Sequence, residues 1–296
     1  MISLTLALIL AILAPLIWAS INILDKYVSS HKVKNPLSFT FLAGLVNLLA
    51  GILIALFINW NYPFSSLLAP AITGILFGTQ YYFWYFIYKH EDASHLIGLI
   101  YLYPLVVALL SFIFIKEILS ISSYFGLGFI LIGVLVLSLR LKQIKLKASL
   151  WMIIMAIFVT ALYEFLAKIA VTNLPPSNAV AISLIFLGLT TSLVIFHKKS
   201  RIKLKKEIAN YKWAILNEGL TIIATFALFL PLTRLPVTFV AAVASIQPLI
   251  VLYLEKSFNK SLNIVRDKDY LRKLIALLLI VLGVILLYIP EIIKLL

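Results

Sequence analysis

Tyr101-Leu102-Tyr103-Pro104-Leu105-Val106 lies inside a long apolar run, and Ser245-Ile246-Gln247-Pro248-Leu249-Ile250 repeats its pattern 144 residues later. In both stretches a polar or aromatic approach leads into a proline, and aliphatic residues follow. A proline inside an apolar helix removes one helical hydrogen bond and frees a carbonyl. Two such prolines at one fixed offset point to an internal repeat.

The segments around these stretches are as apolar as the stretches themselves. The chain has 296 residues, 63% of them in the apolar set and only 12% charged, with a mean hydropathy of +1.11. Soluble domains carry about 25% charged residues because their surface faces water. A chain this poor in charge needs lipid as its solvent. A spanning helix takes about 20 apolar residues, and that ruler gives ten spans. They are Ile2–Ile23, Leu37–Ile58, Leu67–Tyr88, Ala93–Ile115, Ile121–Leu139, Leu150–Val171, Ala179–Phe196, Tyr211–Thr233, Val237–Leu254 and Leu271–Ile289. Turn residues mark several short connections, among them Asn59-Trp60-Asn61-Tyr62-Pro63 and Pro175-Pro176-Ser177-Asn178. The first span lacks a basic leader and a small-residue cleavage site, so it reads as a helix of the bundle.

The net charge of +14 would suggest nucleic acid for a soluble protein. In a membrane protein it reads instead as topology. Apart from Lys116, Lys168, Arg234 and Lys294, every Lys and Arg follows an odd-numbered span. The positive-inside rule then places those loops in the cytoplasm and both termini outside, in the plasma membrane. The basic run from His197 to Lys206 is expected to anchor that topology against anionic headgroups. No cysteine is present, which excludes disulfides and thiolate chemistry. Neither a metal centre nor a cofactor is expected, and the four histidines fall at span ends or in loops.

The repeat extends beyond the prolines. Residues 131–136 (Leu-Ile-Gly-Val-Leu-Val) and 281–286 (Val-Leu-Gly-Val-Ile-Leu) correspond, as do Lys89 and Arg234 at the ends of spans 3 and 8. Asn22 and Lys26 in span 1 correspond to Glu164 and Lys168 in span 6. Each half, residues 1–146 and 147–296, has five spans, so the second enters the membrane inverted. The expected fold is an all-α integral membrane protein, ten transmembrane helices forming two inverted five-helix repeats in one membrane domain.

Two five-helix halves, the paired prolines and the glycine-bearing fifth spans resemble the EamA-type family of the drug/metabolite transporter superfamily. The resemblance implies a path lined by spans 1, 3, 4, 6, 8 and 9, with the last span of each half more peripheral. Two features depart from the family pattern. Basic residues are missing from Asn59–Ser66, and the usual Gly-Glu after span 4 is Lys116-Glu117.

Depth along each helix selects the candidate site. At about 1.5 Å per residue, Gln80 and Tyr81 reach the midplane on span 3, with Trp84 nearby. Tyr101, Tyr103 and Pro104 do so on span 4, Thr225 on span 8, and Ser245, Gln247 and Pro248 on span 9. An amide in hydrocarbon must face protein or water. Gln80 and Gln247 therefore either bind solute or tie helices together, and the prolines either open the backbone or simply kink it. Charged groups inside spans point to coupling or gating. Glu218 lies about 10 Å into span 8, where it can load a proton or meet a cationic solute, or else snorkel or pair with a loop lysine. Glu164 and Lys168 have the i, i+4 spacing of a helix ion pair, and with Asn22 and Lys26 they are expected at opposite mouths of the path.

The leading function is a secondary transporter of small organic solutes or metabolites, such as amino acids or related compounds, with export favoured and alternating access as its mechanism. Flipping of a lipid or lipid-linked substrate is the alternative. An intramembrane enzyme is disfavoured, because no acid, base or metal groups converge in sequence. The expected partners are a small-molecule substrate and the bilayer, with the protein a monomer or homodimer and no nucleic acid bound.

Overall fold

A computed structural model describes residues 2–33, 35–90, 100–138, 147–196, 208–258 and 270–293. The basic run from His197 to Lys206 lies outside these residues. Among those described, the regular structure is helical throughout.

Four helices are long and apolar enough to cross a bilayer by themselves, within Leu4–Val28, Leu37–Ala55, Trp151–Asn173 and Tyr211–Leu232. Shorter apolar helices accompany them, among them Ile121–Val136, Pro176–Ser192 and Ile275–Pro290. Large apolar side chains cover the outside: Leu53, Leu56, Phe57, Phe114 and Phe125 are all exposed. Asn47, Thr73, Gln80, Glu164 and Glu218 are buried. That distribution is the one a protein adopts when its solvent is lipid.

The helices are α1 (Leu4–His31), α2 (Pro36–Ala55), α3 (Phe64–His90), α4 (Tyr103–Leu110), α5 (Ile121–Ser138), α6 (Lys147–Asn173), α7 (Pro176–Ser192), α8 (Tyr211–Leu232), α9 (Val237–Ala244), α10 (Gln247–Phe258) and α11 (Tyr270–Ile293). Proline opens α2 and α7 at their first positions, where its missing N–H costs nothing. The first helix runs two turns past the expected end of span 1. Val28 is buried there, Tyr27 stacks on His31, and no helix breaker occurs before Asn35-Pro36.

Spans 4 and 9 are broken where single helices were expected. The chain turns at Tyr101-Leu102 and again at Ser245-Ile246, and a new helix begins at Tyr103 and at Gln247. Pro104 and Pro248 are the second residues of these new helices. A proline lacks the N–H that would continue the preceding helix, yet its fixed φ suits a first turn.

α4 winds into a π-turn at Ser111–Ile115, and Lys116 ends it in the left-handed region with φ 51°. A side chain there costs about 1–2 kcal/mol. The left-handed turn carries Glu117 across to the next half. Its carboxylate accepts from the backbone N–H groups of Val237 (3.0 Å) and Thr238 (3.3 Å), capping α9. Lys116→Gly should raise the thermal midpoint, its gain of about 0.5–1 kcal/mol being the relieved strain less the entropy glycine adds to the unfolded chain. Lys116→Val should lower it. Equal midpoints for the two variants would remove the strain from this account.

α1 packs on α8, and α3 packs on α6 and α7. The α2–α7 and α5–α11 pairs cross closely, with glycine facing glycine. A Cβ on Gly188 would lie 2.6 Å from the Gly44 carbonyl, and one on Gly283 would lie 2.5 Å from the Gly126 carbonyl. Lipid provides no hydrophobic drive between helices, so such backbone approach is what holds them together.

Candidate functional site

A cavity of about 120 Å³ lies at the centre of the bundle. It is several times larger than the ~10–15 Å³ one water needs. One stripe of α1 forms a wall through Ala11, Ala14, Pro15, Trp18, Asn22 and Asp25. These positions follow the three-and-four spacing of one helix face and cover about 21 Å at 1.5 Å per residue. The other walls come from α3, the turn before α4, α6, α8 and the α9–α10 break. These are the segments the family resemblance implies. Pro15 cannot donate to the Ala11 carbonyl, so this wall also contains backbone freed from its helical bond.

Phe77 anchors an aromatic cluster. Its ring centroid lies 5.7 Å from Trp18, 5.7 Å from Tyr81 and 4.9 Å from Tyr163, and all four residues line the cavity. Phe77, Gln80, Tyr81 and Trp84 share one face of α3.

Carboxyl groups stand at two places. Glu164 is 5% exposed, and its Oε1 accepts from the Tyr103 hydroxyl at 2.7 Å. Its Oε2 has no hydrogen-bond partner among the described residues, and the same holds for Asn22 Nδ2, Gln80 Nε2 and the Tyr163 hydroxyl. Burying a polar atom unpaired costs about 1–3 kcal/mol, so four such atoms around one cavity fit a site that takes a polar ligand.

Asp25 and Glu218 form the second acidic group. The Asn217 amide donates to Asp25 Oδ1 at 2.9 Å and to Glu218 Oε1 at 3.3 Å. Glu218 Oε2 accepts from Asn47 Nδ2 at 2.7 Å and from the Tyr81 hydroxyl at 2.6 Å. Tyr81 and Asn217 line the cavity, whereas Glu218 sits one shell behind them, fully buried.

The residues singled out from sequence separate into two sets. Gln80, Tyr81, Trp84, Tyr101, Tyr103, Gln247, Asn22 and Glu164 all line this cavity. Thr225 and Ser245 are buried away from it, their hydroxyls bonded to Thr221 and Ala241 carbonyls of their own helices. Asn22 and Glu164 face one cavity rather than opposite mouths. Glu164 and Lys168 do not pair with each other. Lys168 Nζ donates to the carbonyls of Leu232 (2.8 Å) and Leu235 (2.9 Å), where the C-terminus of α8 leaves acceptors open. Lys26 does not line the cavity.

Sequence reasoning missed Trp18, Phe77, Tyr163 and Asp25 as cavity residues, and Asn47 as a partner of Glu218. Trp18 precedes Asn22 by one turn, and Phe77 precedes Gln80 and Tyr81 by one turn, so helical spacing alone offered a signal for these two. Asn47 lies 171 residues from Glu218 and offered none.

No curated protein sequence matches this chain. A solved crystal structure, described only as that of a protein, shares the fold with a TM-score of 0.68 at 17% identity, covering 96% of this chain and 97% of its own. The EamA-like transporter family model matches residues 5–139, nearly all of the first half. An all-helical apolar bundle with a central cavity agrees with that match. Over residues 5–139 the chain is thus similar to the EamA-like transporter family, which belongs to the drug/metabolite transporter superfamily.

Proposed function

We propose that the protein is a secondary carrier of small organic metabolites, working by alternating access between two inverted five-helix halves, residues 1–146 and 147–296. The observation that carries this reading is the central cavity, walled by both halves and edged by buried polar atoms without partners.

Packing supports the two-half arrangement. Exchanging α1 with α6, α2 with α7, α3 with α8, α4 with the α9–α10 segment and α5 with α11 turns the α1–α8 contact into α6–α3. The same exchange turns α3–α7 into α8–α2 and α4–α6 into α10–α1, while α2–α7 and α5–α11 map onto themselves. Gly44 and Gly188, which meet at the α2–α7 crossing, are 144 residues apart, the same offset as the two prolines. In such folds discontinuous helices near the midplane hold the substrate, and the breaks before Tyr103 and Gln247 supply them. Loop charge supports a plasma-membrane orientation with the odd-numbered loops and the basic run in the cytoplasm and both termini outside. Export is the direction we favour, with the protein acting as monomer or homodimer.

The reading is tested by binding. A ligand that binds the folded state raises its apparent stability. Purified protein screened against metabolite classes should show solute-dependent thermal stabilisation. Gln80→Ala, Gln247→Ala and Tyr103→Phe should each remove most of that shift while the protein stays folded. Unaltered shifts in all three would take the cavity out of the binding path.

A further inference from the structure

We propose that the cavity selects small organic cations, holding an ammonium group at Glu164 against the aromatic cluster around Phe77. This deepens the carrier reading above and rests on it.

Three features of the cavity converge on that ligand. The first is charge: Asp25 and Glu164 line it, Glu218 lies directly behind Tyr81 and Asn217, and no Lys, Arg or His lines it among the described residues. Lys168 and Lys26, one turn beyond Glu164 and Asn22 on their helices, do not line it. Lys168 Nζ is held by the Leu232 and Leu235 carbonyls. A cleft carrying one sign of charge between low-dielectric walls concentrates counter-ions of the other sign.

The second feature is the unpartnered Oε2 of Glu164, an acceptor on a residue 5% exposed and lining the cavity. Tyr103 already occupies Oε1. A ligand ammonium donates to the free oxygen and neutralises the carboxylate, which a carboxylate or phosphate ligand does not do. The third is the ring cluster. Trp18, Phe77, Tyr81 and Tyr163 present several aromatic surfaces beside the acid, and cations are attracted to the face of such rings. The unpartnered amide groups of Asn22 and Gln80 then serve a neutral acceptor on the same solute, such as a hydroxyl or carbonyl oxygen. An anionic solute finds amides but, among the described residues, no cation on the cavity wall to pair with.

The absence of cysteine permits a test that requires no knowledge of the natural solute. Thr160 lies one turn before Glu164 on the cavity face of α6, and Ala244 lies at the α9–α10 break. Thr160→Cys and Ala244→Cys, each the sole thiol, are reacted in the purified full-length protein with three methanethiosulfonates: cationic trimethylammonium-ethyl, anionic sulfonatoethyl and neutral methyl. The exposed Asn61→Cys supplies the reference. The cation-to-anion rate ratio at both cavity positions should exceed the reference ratio by about tenfold or more. Adding Glu164→Gln and Asp25→Asn should return it toward the reference. A cavity ratio equal to or below the reference, with the neutral reagent still reacting, overturns the cation assignment and leaves the carrier reading standing. Failure of the neutral reagent at both cavity positions shows the cavity closed to solvent and overturns both. Agreement between two positions on different helices guards against one variant failing to fold.

Discussion

Gly283→Ala is expected to cost about 3 kcal/mol of stability, at the upper end for overpacking, while Gly128→Ala on the facing helix costs nothing measurable. The two substitutions add the same methyl group to helices of the same pair. At Gly283 the new Cβ would stand 2.5 Å from the Gly126 carbonyl oxygen, 2.6 Å from Ile130 Cγ1 and 2.8 Å from Ile130 N. Two of those neighbours are backbone atoms that cannot rotate away, so α5 and α11 must separate. At Gly128 nothing lies within 4 Å. Separation is costly because α5 and α11 each make their principal packing with the other. In lipid, close backbone contact replaces the hydrophobic effect as the source of association. Thermal unfolding of the purified protein, read by loss of monodisperse material, should show a clear fall for Gly283→Ala and for Gly126→Ala, and none for Gly128→Ala. Gly283→Leu should fail to accumulate as folded protein. Equal midpoints for Gly283→Ala and Gly128→Ala would mean that α5 and α11 can separate at little cost.

How much of this was legible in sequence depends on the kind of residue. Gln80, Gln247, Tyr103 and Glu164 line the cavity and are readable one at a time, because an amide or acid in hydrocarbon must face something polar. Trp18, Phe77 and Tyr163 line it equally. An aromatic ring in an apolar span is at home against lipid, against a helix or against a solute, so its identity alone does not choose. Pairings were legible only where local. The spacing of Glu164 and Lys168 suggested an ion pair, yet each has a better partner from a distant element: the Tyr103 hydroxyl for one, open α8 carbonyls for the other. Long apolar runs announced helices but hid the breaks at Tyr101-Leu102 and Ser245-Ile246. Hydropathy registers side chains, and there only the backbone departs from the helix.

Glu218→Gln carries the largest expected functional effect: retained solute exchange with lost response to a pH gradient. The buried carboxyl is the acceptor of a network drawn from both halves. Asn47 and Tyr81 of the first half donate to its Oε2, and Asn217 of the second donates to its Oε1 and to Asp25. If the halves move against each other, these inter-half bonds must be remade. Adding a proton turns one acceptor into a donor, which changes what the Asn47 and Tyr81 groups can bond to. The proton has a route as well, since Tyr81 and Asn217 stand between Glu218 and the cavity. Glutamine keeps the shape and one acceptor oxygen but cannot exchange a proton. It puts an amide N–H₂ against an existing donor, a smaller fault than Glu218→Ala, which takes the carboxylate acceptor from Asn47 and Tyr81 altogether. In proteoliposomes Glu218→Gln should exchange labelled solute at near wild-type rate when solute is present on both sides. An imposed pH gradient should drive accumulation by the wild type and none by the variant. Gradient-driven accumulation by Glu218→Gln would make Glu218 a structural tie between the halves. Loss of exchange as well would assign it to solute binding or to the movement itself.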